Sequence, residues 1–201
     1  MTRTMAAKLG LLLLIALLVA GCSTRVERVA PDEQRDLSGR WNDTDSRLVA
    51  EEMVADVLSR AWLRNHVNAQ VRQPAVIVGE IRNLSHEHIN MRTFVSDIQR
   101  ALINSGKVEF VAARDERDEL RDERLDQDLH AREDTRKAMG RELGADYMLQ
   151  GNINTILDVE GRQQVRYYQV DLTLTSLTDN RIVWIGQKKI KKFVTRPRLR
   201  S

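Results

Sequence analysis

Cys22 is the residue whose type and setting point most directly to chemistry: it is the only cysteine, and it follows the small residues Ala20 and Gly21. A lone thiol has no intrachain disulfide to form and is free to take an alkyl or acyl group. His86-Glu87-His88 offers imidazole and carboxylate, the ordinary donors to zinc. The two histidines lie two apart on an expected loop, however, and His66 and His130 fall in separate segments, so they read as solvated loop residues. The acids of Asp115–Asp128 are interleaved with arginines, which makes them a solvated helix face and not an acid–base pair. There is no Gly-x-Ser-x-Gly elbow and no glycine-rich phosphate loop. The sequence therefore offers no catalytic residue, no metal ligand set and no cofactor site.

What surrounds Cys22 decides the fate of its thiol. Arg3 and Lys8 form a short positive start, and an apolar run follows from Leu9 to Ala20. A helix needs about 20 apolar residues to cross a bilayer, so this run is too short for a lasting span and fits a secretion signal. Val19-Ala20-Gly21-Cys22 resembles the lipobox of bacterial lipoprotein precursors. That resemblance implies cleavage before Cys22, a diacylglycerol on its sulfur and an acyl chain on its new amino group. Several buried chains, at about 0.8 kcal/mol per CH₂, make a durable anchor. Ser23, in place of an aspartate, resembles the outer-membrane class of enterobacterial sorting. The expected address is the outer membrane, facing the periplasm.

Charge excludes one class of partner. Two of the 32 basic residues precede Cys22 and none of the 29 acidic ones does, so the rest of the chain carries +1. Neither that balance nor the compartment suits nucleic acid. The basic cluster Lys188, Lys189, Lys191, Lys192, Arg196, Arg198 and Arg200 has two readings. It is a contact surface for anionic partners, or an edge strand guarded by lysines and followed by a frayed tail, and the second is the more ordinary. Trp184 and the pair Tyr167–Tyr168 suit either interface anchors or core.

The elements expected to position these residues follow from periodicity. Residues 22–37 are the lipidated terminus and a short polar tether; the fourteen residues Ser23–Asp36, at about 3.3–3.6 Å each, reach roughly 50 Å. Residues 38–195 form one domain and 196–201 a basic tail. A first helix starts among Asn42–Ser46 and carries one apolar face from Leu48 to Trp62. Ala75–Ile81 is a strand buried on both faces. Asn90 caps a second helix, which Gly106 stops, and Lys107–Val111 is a strand parallel to the first. A charged helix follows Arg114, with a break at Asp126–His130, and another helix spans Arg132 to Leu143 before Gly144. The remainder is a meander: Tyr147–Ile156, Tyr167–Leu177 and a strand opening at Ile182. The class is α+β, a mixed β-sheet with helices packed on it.

Four stretches carry a further resemblance. They are Gly79-Glu80-Ile81-Arg82-Asn83, then Ile89-Asn90, then Ala101–Val108, then Gly144-Ala145-Asp146-Tyr147-Met148-Leu149-Gln150-Gly151, followed by a hairpin leading to Ile182-Val183-Trp184. Over most of residues 38–194 the chain resembles the family of the penicillin-binding protein activator LpoB. The resemblance implies a fold related to the N-terminal domain of TolB, no enzymatic activity and no small-molecule substrate. It implies a lipid-anchored partner of a bifunctional class A penicillin-binding protein, whose peptidoglycan synthesis it stimulates. The tether departs from the family, where it is long and proline-rich. A short tether also suits an alternative, a ring-forming periplasmic lipoprotein of a curli or exopolysaccharide export apparatus.

Overall fold

The computed structural model of the chain describes residues 26–130 and 142–195. Residues 1–21, Cys22, the basic tail 196–201 and most of the helix expected at 132–143 lie outside them; Glu142 and Leu143 are described and are not helical. The chain divides into two compact units, Met1–Glu33 and Gln34–Ser201. In the first, residues 26–33 are exposed, with a turn at Pro31-Asp32 and the Glu33 N–H donating to the Ala30 carbonyl.

In the second unit α1 spans Asp43–Ser59. Asn42 caps it reciprocally with Asp45: each side chain accepts the other's backbone N–H at 3.0 Å. This satisfies two donors that a helix start leaves without intrahelical partners. The apolar face expected to run unbroken to Trp62 is split. Arg60 is extended and ends α1, and Ala61–Gln70 forms a separate helix, α2. Trp62 then folds back, and its indole N–H donates to the Val57 carbonyl at 2.7 Å, taking up an acceptor at the end of α1.

Strand β1 spans Ala75–Asn83, and its first four residues are all buried. Asn90 accepts the Arg92 N–H and caps α3, Met91–Asn104, whose Phe94, Ile98 and Leu102 face the core. Gly106 ends the turn with a positive φ of 62°, a conformation that suits glycine. Strand β2 is shorter than expected, only Glu109–Phe110, and runs parallel to β1. Helix α4, Arg114–His130, passes through the stretch where a break was expected. Asp126–His130 contains neither glycine nor proline, and Gln127 donates one turn back to Glu123 at 2.9 Å.

The meander is built from β3 Tyr147–Glu160, β4 Gln163–Ser176 and β5 Ile182–Thr195. The first hairpin closes in two residues, with Gly161 at positive φ in the first, as the tight turns of twisted hairpins require. The sheet order is β2-β1-β3-β4-β5, parallel on one side of β3 and antiparallel on the other. The α+β class, a mixed sheet with helices packed on it, is thus what the chain forms. Val49, Met53 and Val57 of α1 and Phe94 and Ile98 of α3 pack against Val78, Leu149, Ile153, Val170, Leu172 and Leu174. These inward strand residues alternate with outward ones, so β3, β4 and β5 have a second face, where Ile156, Ile185 and Phe193 stay about two-thirds exposed.

Gly151 fixes how closely β3 and β4 approach, because a Cβ there would overlap the Asp171 carbonyl oxygen and the Leu172 side chain. Gly151→Ala should therefore force the two strands apart and destabilise the domain by about 3 kcal/mol, read from urea unfolding.

Candidate functional site

Along β4 the inward positions read Gln164, Arg166, Tyr168, Val170, Leu172, Leu174 and Ser176, all buried. An arginine in that row needs a carboxylate. It finds Glu87, on the loop after β1: Arg166 Nη1 pairs with Glu87 Oε1, and both side chains are largely buried. Glu87 Oε2 accepts two further bonds, from the Tyr168 hydroxyl at 2.9 Å and from the Trp41 N–H at 3.2 Å. Burial, and then this bond to Glu87, push the Tyr168 hydroxyl up to about 12, so it remains a donor. Trp41 sits edge-on to both Tyr168 and Phe94, with centroids 5.5 and 6.1 Å away. His86 and His88 are exposed and line a cavity of about 220 Å³, as does Glu87, whose carboxylate is already engaged. Among the described residues no group of three or more His, Cys, Asp or Glu is placed to hold a metal.

The basic cluster divides by face. Arg196, Arg198 and Arg200 lie outside the described residues. Trp184, Lys188 and Lys192 turn inward onto the acids of α1 and the segment before it. The Trp184 indole N–H donates to Asp56 at 2.7 Å, Lys188 pairs with Glu52, and Lys192 bridges Asp45 at 2.7 Å and Asp36 at 2.6 Å. Burial opposes the charge on Lys192, but the bonds it donates to Asp36 and Asp45 outweigh this and raise its pKa. Lys189 and Lys191 turn the other way and are exposed, with no ion pair among the described residues. Of the aromatics, Tyr168 and Trp184 are core, whereas Tyr167 is half-buried on the open face.

A larger cavity, about 670 Å³, lies between α2 and the starts of β3 and β5, bordered by Trp62, Asn65, His66, Asp146, Tyr147 and Val183. His66 is buried; its Nδ1 meets the Tyr147 hydroxyl at 3.1 Å, and its Nε2 has no hydrogen-bond partner. Asp146 lies 3.7 Å from that nitrogen. Its carboxylate is committed to a bidentate pair with Arg72 at 2.6 and 2.8 Å and to the Ala75 N–H. Nothing in this arrangement pairs a base with a nucleophile.

The family model of the peptidoglycan-synthase activator LpoB matches residues 45–190, from the first turn of α1 into β5. The chain belongs to the LpoB family. Among solved structures, it is similar to the LpoB C-terminal domain from Escherichia coli, at 16% identity over 74% of this chain and 99% of that one, with a TM-score of 0.44. The C-terminal domain from Salmonella enterica gives 15% identity over 74% and 99%, with a TM-score of 0.41. The NMR structure of E. coli LpoB gives 17% over 88% and 83%, also at 0.41. A search of the curated proteins gives no match. LpoB proteins are activators, not enzymes. Among the described residues, those singled out on sequence pack into the domain or lie on its surface. The sequence alone places Glu87 in a solvated loop and does not single it out. Arg166, charged in an otherwise inward row, was the signal for it.

Burial lowers the pKa of His66, against the pull of Asp146, and Arg72 lowers it further. The folded chain therefore binds that proton less readily than the unfolded one, so stability falls as pH drops below 6.5. Asp146, held below its ordinary value despite burial by Arg72 and the Ala75 N–H, adds no slope until pH nears 3.8. The unfolding free energy from urea titrations should fall between pH 7.5 and 5, by up to about 1.4 kcal/mol per unit of pH. The His66→Gln variant should lose most of that slope.

Proposed function

We propose that this chain is a lipoprotein, cut before Cys22 and acylated there, that activates a bifunctional class A penicillin-binding protein from the outer membrane. The observation that carries the reading is the LpoB family match, which spans the folded domain from α1 to β5. The lipobox Val19-Ala20-Gly21-Cys22 and the preceding apolar run support the anchor, and Ser23 supports the outer-membrane address.

Activation here is a binding event. A protein with no reacting groups raises another enzyme's rate only by binding its active conformation more tightly than its resting one. A tenfold shift of that balance needs about 1.4 kcal/mol of differential affinity, within reach of a modest docking surface. With the roughly 50 Å reach of Ser23–Asp36 at full extension, the domain stays near the membrane that holds Cys22, so the synthase must approach within that distance.

The test is to purify the acylated chain in detergent micelles, confirm by mass that it begins at a lipid-bearing Cys22, and add it to the class A synthases of its own organism. Glycan polymerisation and cross-linking should rise saturably with one of them. The Cys22→Ser precursor should retain residues 1–21. A folded, acylated chain that changes the rate of none of these synthases would overturn the reading.

A further inference from the structure

β5 closes one side of the sheet. It is fourteen residues long, and no strand pairs with its outer side among the described residues. The opposite edge, by contrast, is the two-residue β2. A long free edge presents a row of unpaired N–H and C=O groups and is a template for another strand. On its inner face Trp184, Lys188 and Lys192 are bound to acids of α1 and its lead-in, as described, which ties β5 to the helix along its length. Its outer side chains, Ile185, Gln187, Lys189, Lys191 and Phe193, are all exposed. Lys189 and Lys191, with no ion pair among the described residues, thus stand between two exposed apolar residues, on a face where Ile156 is exposed two strands away, across Tyr167.

The charge decides the occupant. Two copies of the chain joined edge to edge about a two-fold axis would set the run 188–192 against itself, and like charges directly opposite destabilise a strand pair. An acidic strand has the opposite effect. We propose that the edge of β5 from Ile185 to Phe193 takes an extended acidic segment of the synthase as a sixth strand. This rests on the synthase reading above. Backbone pairing would supply much of the affinity, and the side chains on the open face the selectivity. Opposite Phe193, Lys191, Lys189, Gln187 and Ile185, the segment would present apolar, acidic, acidic, polar and apolar residues at alternate positions. Lys188 and Lys192 already have acidic partners and do not read the segment.

The experiment uses the acylated chain and the synthase it activates. The double variant Lys189→Glu/Lys191→Glu changes only outward side chains. It should keep the wild-type urea midpoint and lose affinity about tenfold or more at moderate salt, with the slower association that reversed steering brings. Lys189→Gln/Lys191→Gln should lose less and serves if the first variant does not fold. In parallel, hydrogen exchange of the β5 amides between 185 and 193 should slow in the complex. Unchanged affinity in the charge variants, or β5 amides that exchange as fast bound as free, would overturn the strand addition while leaving the activator reading in place. A wild-type chain that binds none of its synthases would remove the activator reading and this docking together.

Discussion

The carboxylate of Glu87 is the constraint on which the rest of the domain depends. Arg166 occupies an inward position of β4, where a charge without a partner would cost several kcal/mol. Glu87 neutralises it and also accepts from Tyr168 of the same strand and from the Trp41 backbone. One side chain therefore joins the loop after β1, the middle of the sheet and the segment that leads into α1. Trp41 passes the constraint on: its ring meets Phe94 of α3 edge-on, and its indole N–H donates to Ser46 of α1 at 2.7 Å. Asn42 and Asp45 then close the first turn of α1 immediately beside it.

From that start, the helix lies along β5 in a fixed register. Asp56, Glu52 and Asp45 meet Trp184, Lys188 and Lys192 in turn, so an acid row on a helix matches every fourth residue of a strand. The consequence for the proposed docking is indirect. The inward cations are neutralised and tie β5 to the helix, while the outward Lys189 and Lys191 remain available. A single run of lysines thus does two things because a strand sends alternate residues to opposite faces.

The sequence made most of the scaffold legible where local chemistry and period agree. Asn90, the spacing of Phe94, Ile98 and Leu102, and Gly106 define α3 from cap to stop. The alternation of β4 and the turn at Gly161 place the meander. Legibility failed where a distant partner decided the outcome. Trp62 stands at helical spacing from Leu58, yet the chain breaks at Arg60, because the indole returns to the Val57 carbonyl. Strand β3 runs past its expected end, and β4 starts before its expected start, because backbone pairing carries the exposed residues Leu157–Glu160 of β3 along β4. Glu87 had no local signature at all, since its partners lie 46, 79 and 81 residues away. The candidate surface was legible in composition but not in orientation: the lysines were visible, their division between two faces was not.

The organising role of Glu87 can be measured directly with a double-mutant cycle on Glu87→Gln and Arg166→Met, followed by urea unfolding at neutral pH. Each single variant leaves a buried charge without its partner and should cost roughly 3 kcal/mol. The double variant should cost well under their sum, with a coupling of about 2 kcal/mol. Costs that simply add, within about 0.5 kcal/mol, would mean the two groups act independently and that Glu87 does not hold the domain together.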